Sequence, residues 1–65
     1  MELVKQTKLV GSRNEKGLSQ KEMSRLLGIS ITSYRNKELG NVDFKLEEVK
    51  KICKKFNKKQ EEIFL

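Results

Sequence analysis

Several residue types that commonly build protein sites are rare or missing in this chain. Its 65 residues include one cysteine and no histidine, proline or tryptophan. Because a disulfide needs two cysteines and zinc sites use clusters of cysteine and histidine, Cys53 can form neither an internal disulfide nor a zinc site. We expect a buried, inert thiol, no metal and no cofactor, and the lone cysteine fits a reducing cytoplasm.

Segments typical of membranes and of catalysis are also missing. The apolar runs are far shorter than the roughly 20 residues of a membrane-spanning helix, and no signal peptide is recognisable, so we expect no membrane association. The chain has no glycine-rich phosphate loop and no nucleophile with a recognisable base beside it. We therefore expect a protein that is not an enzyme. So small a core also leaves no room for a small-molecule pocket.

What the chain has in excess is positive charge. Fifteen Lys and Arg against nine Asp and Glu leave a net charge of +6. Such a charge attracts polyanions, but it does not distinguish nucleic acid from a membrane surface or an acidic protein. Aromatic residues make up only 6% of the chain, too few for a surface that stacks single-stranded bases.

The absence of proline and the many Lys, Glu and Leu residues predict an all-α single domain over residues 1–65. Apolar spacing and stop signals place five helices, at 2–15, as a pair within 19–39, at 45–56 and at 59–64. In the first helix the apolar positions are Leu3, Val4, Leu9 and Val10. The fourth helix has the clearest apolar face, formed by Leu46, Val49, Ile52, Cys53 and Phe56. In the linker before it, we expect Val42 and Phe44 to turn inward.

The helix pair at 19–39 has the signals of a helix-turn-helix. Ser19 and Glu22 can form a capping box at the start of the first helix. Gly28 can end that helix in the left-handed conformation, and Ser30 can cap the second. Tyr34 then points back at the first helix. A second helix of this length is suited to the major groove of DNA.

Several motifs occur in order along the chain: R…KGLSQ at 13–20, EMSRLLGIS at 22–30, SY at 33–34, KELG at 37–40, LEEVKKI at 46–52 and EEIF at 61–64. With these motifs the chain resembles the phage-repressor and Cro-like (Xre-type) helix-turn-helix family. The resemblance implies a compact five-helix bundle of the lambda-repressor-like DNA-binding type.

The resemblance also implies roles for individual residues. Base contacts are expected from Ser30, Ile31, Thr32, Arg35 and Asn36. A phosphate contact is expected from Gln20. Phosphate contacts are also expected from Lys21, Lys37 and Asn41, by their positions near the ends of the two helices and apart from the resemblance. A structural ion pair is expected between Arg13 and Glu38.

The chemistry of these residues agrees with their implied roles. Thr32, Arg35 and Asn36 share one helix face by their spacing. Arg35 can bind guanine and Asn36 adenine, whereas Ile31 can contact a thymine methyl group. The start of the first helix of the pair offers free N–H groups to a phosphate. Lys37 stands where an apolar residue is common, so we expect its stem to pack while its ammonium reaches solvent or phosphate.

These observations predict a sequence-specific double-stranded DNA-binding transcriptional regulator of the repressor or Cro-like kind. So few base contacts call for a homodimer on a palindromic operator, and residues 60–65 are the expected dimer surface. The alternative is a protein-interaction module, such as an antitoxin or an anti-repressor partner. The densest run of lysines is interpreted as a solvated exterior and comprises Lys50, Lys51, Lys54, Lys55, Lys58 and Lys59.

Overall fold

The chain folds into a bundle of short helices. A computed structural model describes residues 5–64, and within that range every regular element is helical. The elements are α1 (Thr7–Glu15), α2 (Gln20–Leu27), α3 (Ile31–Glu38), α4 (Leu46–Phe56) and α5 (Gln60–Ile63). The predicted all-α, five-helix architecture is therefore confirmed.

The first helix begins later than its sequence pattern predicts. Lys5 and Gln6 precede α1 instead of continuing it, and the predicted positions at residues 2–4 lie outside the described residues. The Gln6 backbone N–H donates to the Glu38 carbonyl at 2.9 Å, which ties this segment to the end of α3. The predicted stop is confirmed, since Gly17 adopts a left-handed φ of 68°.

The capping signals of α2 and α3 are confirmed. The Ser19 hydroxyl accepts from the Glu22 backbone N–H at 3.1 Å, and the Glu22 carboxylate accepts from the Ser19 N–H at 3.2 Å. Gly28 ends α2 with a φ of 68°. The Ser30 hydroxyl accepts from the Ser33 N–H at 3.1 Å at the start of α3. These local bonds fix where α2 begins and ends and where α3 begins.

One continuous core lies between the helices. Its buried members are Leu9, Met23, Leu27, Tyr34, Ile52, Phe56 and Ile63. Phe44 packs edge-on against Tyr34, with ring centroids 6.2 Å apart, and against Phe64 at 5.2 Å. Phe44 thus turns inward as predicted, and it ties the α3–α4 linker to the C-terminal segment.

Two apolar residues do not enter this core. Val42 is 50% exposed and Leu46 is 65% exposed, so the inward positions predicted for them are wrong. The physical reason is that Glu48, paired with a buried cation, occupies the interior at the first turn of α4 and leaves Leu46 at the flank. Among residues 5–64, no helix is long and apolar enough to cross a membrane.

Candidate nucleic-acid interface

Helix α3 has an inner and an outer face. Tyr34, Lys37 and Glu38 are buried against the rest of the protein. On the opposite face Thr32 and Arg35 are exposed, and Asn36 is half-buried. The spacing of the predicted base-contacting residues therefore corresponds to the outer face of α3.

Gln20 joins the two faces of α3. Its Nε2 donates to Glu38 Oε1 at 3.1 Å, and its Oε1 accepts from Arg35 Nε at 2.9 Å. Gln20 is also the first residue of α2, so this helix holds the outward guanidinium through one side chain. The bond uses only the Nε of Arg35. The terminal nitrogens of Arg35 have no partner among residues 5–64 and can donate to acceptors such as those of guanine.

The expected ion pair between Arg13 and Glu38 is present at the buried end of this chain of bonds. Arg13 Nε lies 3.1 Å from Glu38 Oε2, and the two side chains are only 12% and 6% exposed. Arg13 also donates through Nη1 to the Leu18 carbonyl at 2.9 Å. A continuous polar chain therefore runs from α1 through Glu38 and Gln20 to the outer face of α3.

Tyr34 lies beside this chain. Its hydroxyl is buried and has no hydrogen-bond partner within the described part of the chain. Burial and the neighbouring Glu38 carboxylate raise the pKa of Tyr34 above its usual range, while the Arg13 cation opposes them. The phenol therefore stays neutral and serves the core, as its position in the sequence predicts.

The position of Lys37 in this structure does not favour the phosphate contact expected of it. The Lys37 side chain is only 9% exposed, and its ammonium binds the two carboxylate oxygens of Glu48 at 2.5 and 2.6 Å. An ammonium held in this way cannot reach a phosphate without leaving a buried carboxylate unpaired. Sequence reasoning missed Glu48 as its partner because an acidic residue in the first turn of a helix is ordinarily explained by the helix dipole.

Glu48 accepts hydrogen bonds from both ends of the linker between α3 and α4. Its Oε1 accepts from the Lys45 backbone N–H at 2.8 Å and so caps α4, while the same carboxylate holds Lys37 of α3. Burial alone would raise the pKa of Glu48, but the hydrogen bonds from Lys37 and the Lys45 N–H keep it below its ordinary value of 4.5. Glu48 is therefore ionised at neutral pH and fixes α3 relative to α4.

The remaining phosphate candidates lie on the surface. Lys21 is exposed beside the start of α2, where the Gln20 and Lys21 backbone N–H groups have no partner among residues 5–64. Asn41 is exposed just after α3, and its Nδ2 donates to Asn36 Oδ1 at 3.4 Å. Because this contact is long and exposed, the Asn36 carboxamide can exchange it for a base edge at little cost.

Two serines at the start of α3 form a small hydroxyl pair. Ser30 Oγ caps the helix and also donates to Ser33 Oγ at 3.0 Å. Ser33 is exposed, although its position was not among the predicted contacts. The signal that could have identified Ser33 is its spacing of three residues from the N-cap.

Cys53 and the carboxylates of the described residues form no metal centre. Cys53 is only half-buried rather than fully enclosed, and its burial raises the pKa of the thiol. Within residues 5–64, no cluster of three or more His, Cys, Asp or Glu side chains could hold a metal ion.

Comparison with known proteins agrees with this geometry. A family described as helix-turn-helix matches residues 12–63, which covers α2 to α5 and the C-terminal end of α1. A search of curated proteins finds no match to this chain. The chain therefore belongs to the helix-turn-helix family of the Xre and lambda-repressor type, as its motifs predict. Membership identifies it as a DNA-binding helix-turn-helix regulator, in a family that is typically not enzymatic.

Proposed function

We propose that this protein is a sequence-specific transcriptional regulator of the repressor or Cro-like kind, which binds a palindromic operator through the major groove. The observation that carries the proposal is the bond from Arg35 Nε to Gln20 Oε1 at 2.9 Å. A guanidinium on the outer face of α3 that is fixed before DNA arrives is suited to reading a base, because less side-chain freedom is lost on binding.

Base reading is assigned to the first two turns of α3. Arg35 donates to guanine through its terminal nitrogens, and Asn36 pairs with adenine through its carboxamide. Thr32 lies between them on the same face, and Ile31 offers an apolar contact to a thymine methyl group. Ser30 lies at the very start of α3, where its capping hydroxyl remains exposed.

Phosphate binding is assigned to the two ends of the helix-turn-helix. Gln20 and Lys21 supply backbone N–H groups and a cation at the start of α2, where the helix dipole also favours an anion. Asn41 supplies a carboxamide just beyond α3. These contacts set the position of α3 on the duplex without reading its sequence.

A homodimer is supported by three exposed apolar residues at the end of α3, in the linker and at the start of α4. Leu39, Val42 and Leu46 are 45%, 50% and 65% exposed, and we call them the linker patch. In contrast, Ile63 is fully buried and Phe64 packs on Phe44, so residues 60–64 offer less apolar surface than their sequence predicts, and Leu65 lies outside the described residues. We therefore place the contact with a second copy at the linker patch, with the two α3 helices about one DNA turn apart.

Selection of binding sites from random duplexes tests the proposal. The expected result is a palindrome whose half-sites are separated by about 10 base pairs. Selection with the Arg35→Lys variant, which keeps the charge but loses the Nε bond, should relax the preference at one position of each half-site. If no sequence is enriched and binding to duplex DNA shows little dependence on salt, the interaction-module alternative is favoured instead.

A further inference from the structure

A groove on the α4 side of the molecule is not used by the DNA-binding function. It consists of two surface depressions that share Lys55. One, of about 280 Å³, is lined by Lys16, Leu18, Lys55 and Phe56. The other, of about 390 Å³, is lined by Leu26, Lys51, Lys54 and Lys55. We call the two together the lysine groove.

The floor of the lysine groove is apolar. Leu18 and Leu26 are half-buried and pack against the core, while Phe56 is only 2% exposed. Leu18 precedes α2 and Leu26 lies near its C-terminal end, so the floor runs along this helix towards α4. An apolar floor of this kind can accept apolar side chains from a partner.

The rim of the lysine groove is entirely basic. Lys16, Lys51, Lys54 and Lys55 are exposed, and none of them forms an ion pair within the described part of the chain. Neither depression has an acidic residue in its lining. Glu22 lies one turn before Leu26, but its carboxylate accepts from the Ser19 N–H at the start of α2.

The lysines of the rim repel one another. Within α4, Lys51 lies one turn before both Lys54 and Lys55, and Lys50 lies one turn before Lys54. Like charges at this spacing destabilise a helix. An anionic partner would relieve this repulsion.

We propose that the lysine groove binds an acidic amphipathic helix of a partner protein. Leucine-like side chains of that helix occupy the floor, and its carboxylates pair with the lysines of the rim. The apolar floor argues for a peptide, because a phosphate backbone has no apolar group to fill it. None of the residues assigned to base or phosphate contacts lines the groove.

A designed peptide tests this proposal without knowledge of the natural partner. The probe is a synthetic helix of glutamate with leucine at positions i, i+3, i+4 and i+7, titrated into the full chain labelled with 15N. The expected result is amide shifts confined to the residues around the groove. Lys55→Glu should weaken the affinity about tenfold, because it reverses a charge shared by both depressions. The matched variant Lys50→Glu makes the same change on α4 outside the groove and should change the affinity less than about threefold.

Four outcomes would overturn the proposal. The first is that a peptide with the same composition but scattered leucines binds equally well. The second is that Lys55→Glu and Lys50→Glu weaken binding equally. Either result would show that the peptide is held by general charge attraction and not by the groove. Groove amides that shift with duplex DNA instead of the peptide would indicate a nucleic-acid surface. Groove amides that shift on raising the protein concentration alone would indicate a second copy. Circular dichroism of both variants verifies that these exposed substitutions leave the fold intact.

Discussion

Two sides of this molecule are basic but hold their charges differently. One is the recognition side, formed by the outer face of α3 and the polar chain behind it, and the other is the α4 side. On the recognition side Arg13 and Arg35 are fixed through Glu38 and Gln20 by hydrogen bonds of 2.9 to 3.4 Å. On the α4 side Lys54 and Lys55 are exposed and unpaired within residues 5–64. A fixed cation can distinguish one base from another, whereas a loose one attracts any anion that approaches.

The difference follows from the positions of carboxylates. Glu38 and Glu48 are 4% and 6% exposed, so each must be paired and each holds a cation in one place. The other acidic residues of the described chain lie at the surface, where they order their neighbours only weakly. The precision of the recognition side therefore depends on two buried acids, and the predictions below test this dependence.

The largest effect is expected from removing the central acid. Glu38→Ala leaves Arg13 buried without its partner and should lower the free energy of unfolding by about 3–5 kcal/mol. Urea denaturation monitored by circular dichroism measures this. The matched control is Glu15→Ala, whose side chain is 71% exposed in its pair with Lys58 and which should cost at most about 1 kcal/mol. Equal losses of unfolding free energy in the two variants would show that burial does not make the Arg13–Glu38 pair more important for stability than the Lys58–Glu15 pair.

The next effect concerns DNA and not stability. Arg35→Ala should weaken binding to the selected operator by about 1–3 kcal/mol while leaving the free energy of unfolding nearly unchanged. Gln20→Ala should weaken operator binding less, since this substitution frees the Arg35 guanidinium but does not remove it. Fluorescence anisotropy against the operator and a single-base variant measures both. An operator affinity and base preference that survive Arg35→Ala would contradict the role assigned to this residue.

The sequence predicts local features of this fold better than contacts between distant residues. Ser19, Gly28 and Ser30 act within a few residues of their own positions, so their spacing was enough to predict them. Arg13 and Glu38 are 25 residues apart, and only the family resemblance indicated that they meet. The Lys37–Glu48 pair was not predicted, because nothing local shows that a lysine and a glutamate on two different helices face each other inside the core.

The same limit explains the errors in the linker. Val42 and Leu46 are apolar and fit a helical or inward pattern, yet they lie at the surface, while Phe44 and the paired Glu48 take the interior positions of this segment. Hydrophobic periodicity assigns interior positions to apolar residues. It cannot assign an interior position to a charged residue that is buried with an oppositely charged partner. The linker patch was therefore recognised only in three dimensions.

A smaller effect is expected at the linker patch. Val42→Lys places a charge where two copies are proposed to meet, and it should reduce affinity for the full palindrome about tenfold through lost cooperativity. Affinity for an isolated half-site should not fall, which distinguishes failure of the dimer surface from failure of DNA binding. The control is Val10→Lys, at a half-buried position on α1 away from the linker. Sedimentation on DNA measures the number of copies bound, and a single copy on the full palindrome would contradict the dimer.

The pH dependence of stability tests the other buried acid. Because folding lowers the pKa of Glu48 below its ordinary value of 4.5, its stabilising contribution is complete above that pH and is lost as the pH falls through the lower, folded-state pKa. Glu48→Gln should flatten the loss of stability in this acid range. Glu47→Gln, at an exposed neighbouring position, should leave the wild-type profile unchanged. Identical acid profiles for Glu48→Gln and the wild type would contradict this assignment.

The smallest effect is expected from the loose lysines when DNA is the ligand. Replacing Lys54 and Lys55 by Gln should leave the slope of log affinity against log salt almost unchanged, because neither side chain is assigned to a phosphate. Lys21→Gln should reduce that slope by about 0.9, the value for one lost phosphate contact. A reduction near 1.8 in the double variant would show that both lysines contact the backbone. The α4 side would then belong to the DNA interface, and its loose charges would contribute to affinity without contributing to specificity.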